Sequence, residues 1–127
     1  MTVNESTKTI VRERAGHRCE YCQLHQDDSP LATLHVEHII PRKHGGSDEV
    51  ENLALACIDC NLHKGPNLTG VDPETEEITV LFHPRQDDWD DHFEWQGIQI
   101  VGKTPTGRTT VRVLEMNSDE QLGLRLS

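Results

Sequence analysis

The chain is short of what usually stabilises a globular domain by burial. Only 34% of its 127 residues are hydrophobic and five are aromatic, namely two Trp, two Phe and one Tyr, whereas roughly 45 to 50% apolar residues, Gly included, is ordinary. Hydrophobic burial is therefore lean, and something else must help to hold the fold. No apolar run approaches the roughly 18 residues of a membrane span, and no basic-then-apolar leader follows Met1. Neither a spanning segment nor a secretory signal is expected, and a cytoplasmic protein is the default. Basic residues are scarce as well: 12 Lys and Arg stand against 22 Asp and Glu, for a net charge of −10. Such a balance speaks against a phosphate-rich partner. The acidity is uneven, however. Residues 1–70 carry 7 basic and 10 acidic side chains, and residues 71–127 carry 5 and 12. Arg42, Lys43, His44, His63 and Lys64 all fall in the less acidic half, so local charge there permits a partner that bulk charge disfavours.

At this length a single domain with an appended lobe is expected. Composition changes after Gly65, which divides the chain into a core over residues 1–70 and an acidic extension over 71–127 packed on it. In the first part, Ser6 or Thr7 can cap a short helix carrying Ile10 and Val11, with Gly16 stopping it. Thr33 to Ile40 is β-branched and apolar and reads as a strand closed by Pro41; Leu53 to Ala56 reads as a second. The polar, Gly-rich "RKHGGSDEVEN" between them is an exposed excursion, and a short helix begins in "CIDCNLHKG". In the second part, "GPNLTGVDPETEE" looks like a linker and Ile78 to Phe82 like a strand. "QDDWDDHFEW" reads as an acidic helix or loop resting on Trp89, Phe93 and Trp95, and Ile98 to Val101 as a strand. Thr104 as N-cap with Pro105 at the first helical position favours a final helix over "TPTGRTTVRVLEM". The class expected is α+β.

In a reducing cytosol four cysteines are expected to be metal ligands or redox groups rather than structural disulfides, and their spacing decides which. Cys19 and Cys22 form one C-x-x-C, and Cys57 and Cys60 form another. Each two-residue gap lets both thiolates point at one ion from a tight turn, so the pairs together supply an S₄ shell suited to structural Zn²⁺. A lone pair could be a redox centre, but that reading leaves the second pair unexplained. Structural zinc contributes on the order of 10 kcal/mol to the folding of small modules, enough to offset the lean core. A closed all-cysteine shell has no open position, so any reaction requires another site.

That site is expected between the two cysteine pairs. Glu37 can hold a hard cation through oxygen, and His38, with an ordinary pKa near 6.5, suits a base at neutral pH. Adjacent strand residues point to opposite faces, so the two converge only if the strand twists or ends there, which Pro41 favours. Asn61, directly after Cys60, is the nearest candidate for a second ligand, with His63 as the alternative. Asn52 can hydrogen-bond across the excursion and orient His38. Arg42, Lys43 and His44 are candidate phosphate contacts at the cleft mouth, and His63 and Lys64 are further candidate substrate contacts. His83, Asp87, Trp89, His92 and Phe93 share no ligand spacing and read as core and surface.

The order C-x-x-C, acid-His at a strand end, Asn-Leu, then C-x-x-C-Asn followed by Lys-Gly, resembles the HNH endonucleases with a ββα-metal core, over about residues 17–65. The resemblance implies a metal-dependent endonuclease that hydrolyses phosphodiester bonds in DNA. It makes His38 the general base, Asn52 the residue bracing the loop, and Glu37 with Asn61 the ligands of a catalytic Mg²⁺ or Mn²⁺. Many members have Asp at the position of Glu37 and His at that of Asn61; both replacements keep a donor atom. A homodimer that cuts both strands is compatible with this reading. The rival from another class is a non-catalytic zinc-ribbon module that presents a surface to a protein or to nucleic acid.

Overall fold

Helix α1 (Glu5–Arg14) opens the computed structural model, which describes residues 3–126. Its cap is Asn4 rather than Ser6 or Thr7. The Asn4 backbone is extended and its side chain accepts from the Thr7 amide, and Asn is at least as strong a cap as Thr. Gly16, at φ 63°, ends the helix as expected.

Strands β1 (His35–His38) and β2 (Leu53–Ala56) pair antiparallel, with Glu37 opposite Ala54 and His38 opposite Leu53. The expected strand from Thr33 to Ile40 is shorter by two residues at each end, although the Ile39 amide still bonds the Asn52 carbonyl at 2.8 Å. Helix α2 (Ile58–Lys64) follows β2 at once. Cys57 caps it, its sulfur accepting from the Cys60 amide at 3.4 Å, so the second cysteine pair and the helix start are one structure. The result is two strands and a helix in direct succession.

The extension departs further from its expected form. Segment 65–77 contains strand β3 (Thr69–Val71), which pairs with β4 (Ile78–Val80); three residues with a central Gly70 leave no alternation to read. "QDDWDDHFEW" divides into a one-turn helix α3 (Trp89–His92) and strand β5 (Phe93–Gln96), which pairs with β6 (Gln99–Gly102). Helix α4 (Pro105–Val113) forms as expected, with the Thr104 hydroxyl accepting from the Gly107 amide at 3.0 Å. Helix α5 (Asp119–Leu126) was not expected. Among the described residues, three two-stranded sheets and five α-helices make the fold α+β. Among the described residues no helix is long and apolar enough to cross a membrane.

One apolar cluster runs through both halves. Val11, Tyr21, Leu34 and Leu55 from the first meet Phe82, Phe93, Ile100 and Leu114 from the second. Phe82 lies at the seam, edge-on to Tyr21 at 6.4 Å and to Phe93 at 5.2 Å. A side chain of this kind contributes about 1.5 to 3 kcal/mol when fully buried, and Phe82 has neighbours from both halves to bury it. Polar links follow the same seam. Trp89 Nε1 donates to the Tyr21 carbonyl at 2.7 Å, and Glu20, which accepts from the Leu55 amide, pairs with Arg85.

The β3–β4 turn is fastened to α4 by a buried carboxylate. Asp72 accepts from Arg108 at 2.9 and 3.1 Å, from the Glu74 amide and from the Thr75 hydroxyl. The Arg108 guanidinium, helped by the other two donors, holds the Asp72 carboxyl well below the usual carboxylate range. A depressed folded-state value means that this contribution to stability is fully present above the unfolded value of about 3.9 and is lost as pH falls through the folded one. Asp72→Asn should therefore lower the melting temperature near neutrality and flatten its decline in acid, as thermal melts across that range would record.

Candidate functional site

The four cysteines are buried and reduced. Their sulfurs all lie within 4.8 Å of one another, and those of Cys22 and Cys57 are 3.6 Å apart. Thiolates at 2.3 Å from a tetrahedral ion stand about 3.8 Å apart, so the set lies close to the spacing that one metal ion needs. The turn at Cys19–Cys22 and the cap of α2 supply two ligands each, as the spacing required. The other three thiols donate towards Cys57 and depress its pKa, while burial raises that of Cys19. Gln121, fully buried on α5, directs its amide Nε2 at Cys57 Sγ, 3.3 Å away. The C-terminal helix therefore reaches the thiolates directly, a contact that no feature of the sequence signalled.

Glu37 faces the same interior. It is 8% exposed and its Oε1 has no hydrogen-bond partner. Burial pushes its carboxyl up to about 7, with the Lys64 ammonium restraining the shift. The Tyr21 hydroxyl is likewise buried without a partner. A buried carboxylate oxygen with no donor is the kind of group that a hard cation completes. Asn61 stands on α2 one residue beyond Cys60, half-buried, and its side chain makes no hydrogen bond among the described residues. The fold thus leaves Glu37 Oε1 buried without a donor, and Asn61 offers a side-chain oxygen from α2.

His38 ends β1 on the half-exposed side. The chain after it turns sharply: Pro41 leads into a 3₁₀ turn at Arg42–His44, and Gly45 takes a left-handed φ of 85°. At Gly46 an added Cβ would stand 1.6 Å from the Ile40 carbonyl oxygen, so only glycine fits. Asn52 then closes the excursion. Its Oδ1 accepts from the Ile40 amide at 2.9 Å, and its Nδ2 donates to the carbonyls of Ile40 and Ser47 at 2.9 and 2.8 Å. The bracing hydrogen bonds expected of Asn52 are present. They also bring Asp48, a residue the sequence did not single out, back onto His38: its Oδ1 is 2.6 Å from His38 Nε2. Arg42 donates to the same oxygen at 2.9 and 3.2 Å.

Two candidates are placed otherwise than expected. His63, the alternative ion ligand and a proposed substrate contact, has both ring nitrogens engaged, one with the Asp59 carbonyl at 2.8 Å and the other with Glu115 at 3.1 Å. No nitrogen remains for an ion, because helical geometry turns this side chain towards the extension. Lys64, a candidate substrate contact, is buried: it is 2% exposed, its ammonium donates to the Ile39 carbonyl at 2.8 Å, and burial lowers its pKa. Its position one turn beyond Cys60 puts it on the inner face of α2, where its charge reaches Glu37. Arg42, Lys43 and His44 are exposed as expected, with Arg42 engaged by Asp48.

Residues 19–67 match the family model of the HNH endonucleases. One curated relative, the Septu protein PtuB of Bacillus thuringiensis, is 27% identical over 117 residues, an alignment covering 91% of this chain. The chain spans only 42% of that relative's length. No solved structure matches. The match begins at Cys19 and ends past α2, so it takes in both cysteine pairs, the Glu37–His38 strand, the loop closed by Asn52 and the helix with Asn61. Over residues 19–67 this chain is therefore similar to the HNH endonuclease domain, and its four cysteines lie where they could bind a metal ion.

Proposed function

We propose that this protein is a metal-dependent endonuclease that hydrolyses phosphodiester bonds in DNA. The observation that carries the reading is the buried, unpartnered Oε1 of Glu37 beside His38, at the strand end where the HNH match has its acid-His pair. In this reading the cysteine cluster holds a structural Zn²⁺ that fixes the start of α2, and with it Asn61. Glu37 and Asn61 hold Mg²⁺ or Mn²⁺. When bound, such an ion stabilises negative charge on the phosphate and the departing 3′ oxygen.

The chain's own side chains supply the rest. His38 takes a proton from the attacking water as general base. Asn52 keeps the loop closed so that the imidazole stays at the strand end. Lys64 lowers the cost of ionising Glu37 in a buried setting. Lys43 and His44, exposed at the loop tip, can meet the phosphate backbone without reading sequence. The strong net negative charge makes such contacts few, so binding should be weak and should fall with added salt. Incubating zinc-loaded protein with supercoiled plasmid and Mn²⁺ or Mg²⁺ tests the reading directly. Conversion to nicked or linear DNA is expected; an intact plasmid beside a cleaved RNA would change the substrate, and neither product would favour the non-catalytic zinc-ribbon module.

A further inference from the structure

We infer that Asp48 is a positioning residue for His38: its carboxylate holds the imidazole in the Nε2–H tautomer and leaves Nδ1 as the atom that accepts the proton. The inference rests on the proposed role of His38 as base, and it adds a residue and an atom to that role. Its first support is the loop. Asn52 ties Ser47 to the Ile40 end of β1, so the residue after Ser47 has to arrive beside the imidazole. Its second is chemical. An ionised carboxylate only accepts hydrogen bonds, so at 2.6 Å from Asp48 Oδ1 the Nε2 atom carries the hydrogen. The lone pair is then on Nδ1, which has no hydrogen-bond partner among the described residues. Third, Arg42 donates twice to the same Oδ1. That contact keeps Asp48 ionised and stops it swinging away, which gives Arg42 a task besides meeting phosphate.

The reaction step balances. A water O–H bond breaks and its proton passes to Nδ1, while the electron pair left on oxygen forms the new bond to phosphorus. The phosphorus bond to the 3′ oxygen breaks, and its electrons leave with that oxygen. The imidazole becomes imidazolium, whose charge Asp48 stabilises without taking the proton itself, as the aspartate of a Ser-His-Asp triad does.

Asp48→Asn is the informative change, because an amide is nearly isosteric but can donate to Nε2 and so favour the opposite tautomer. Long-range ¹⁵N–¹H NMR of the zinc-loaded full chain, at a pH where the ring is neutral, reads the tautomer without any substrate. The expected result is Nε2–H in the wild type and Nδ1–H in Asp48→Asn. Plasmid nicking by Asp48→Asn should show kcat lowered by about 10² to 10⁴-fold, KM nearly unchanged and zinc content intact, with Asp48→Glu restoring part of the rate. An Nδ1–H ring in the wild type, or a tautomer that Asp48→Asn does not change, overturns the inference. Were the wild type to cut no nucleic acid, the nuclease reading would fall by itself, and the NMR tautomers would still decide whether Asp48 orients His38.

Discussion

His38→Ala should lower plasmid nicking by about 10² to 10⁴-fold, the usual contribution of a positioned general base, while leaving zinc content and the melting transition close to wild type. The expectation of intact folding comes from where the side chain lies. His38 is at the end of β1 with part of its ring in solvent, and among the described residues its ring hydrogen-bonds only Asp48, in the loop. The pinning of that loop belongs to Asn52, whose three hydrogen bonds to Ile40 and Ser47 do not involve the imidazole. A large loss of rate with little loss of stability is therefore specific to a chemical role. Gel-based nicking rates measured beside thermal melts would separate the two, and activity that survives the substitution would remove His38 from the mechanism.

Cys57→Ser should have the largest effect on stability. Serine is itself a strong N-cap, so it can still accept from the Cys60 amide and start α2. What it removes is one of the four sulfurs that converge on a single point. Structural zinc contributes on the order of 10 kcal/mol to folding in small modules, comparable with the whole net stability of an ordinary domain. A chain with 34% hydrophobic residues has little reserve to replace it. Cys57→Ser and chelator-stripped wild type should both lose cooperative melting by circular dichroism and near-stoichiometric zinc by elemental analysis. Gln121→Leu, which removes only the amide pointing at Cys57, should keep the zinc but release it faster to a chelator. Unchanged melting after the metal is stripped would show that the core alone suffices.

What could be read in the sequence was whatever local spacing dictates. Two C-x-x-C pairs can hardly serve anything but one tetrahedral site, and their sulfurs do converge. Asn52 was legible because an Asn that ends a Gly-rich excursion has carbonyls and amides to bind at the strand it returns to. Thr104 and Pro105 signalled the start of α4 despite its β-branched residues. Contacts between residues distant along the chain were not legible. Asp48 is ten positions after His38 and meets it only because the excursion folds back under Asn52. Gln121 reaches Cys57 from a C-terminal helix that was itself missed. His63 and Lys64, adjacent in sequence, looked alike as basic residues beside the second cysteine pair. The helical turn of 100° per residue sends one to Glu115 and buries the other beside Glu37. The contacts between the two parts, Phe82 on Tyr21 and Arg85 on Glu20, likewise join residues too far apart in sequence to be foreseen.

The account depends on a hard-cation site at Glu37, separate from the cysteine cluster. Titrating Mn²⁺ into zinc-loaded protein, with bound and free ion followed by electron paramagnetic resonance, measures that site without requiring a substrate. The account predicts a single Mn²⁺ bound to the wild type in addition to its zinc, and none to Glu37→Gln at the same concentrations with zinc retained. Saturation identical in the two proteins, or no Mn²⁺ bound by either, would contradict it.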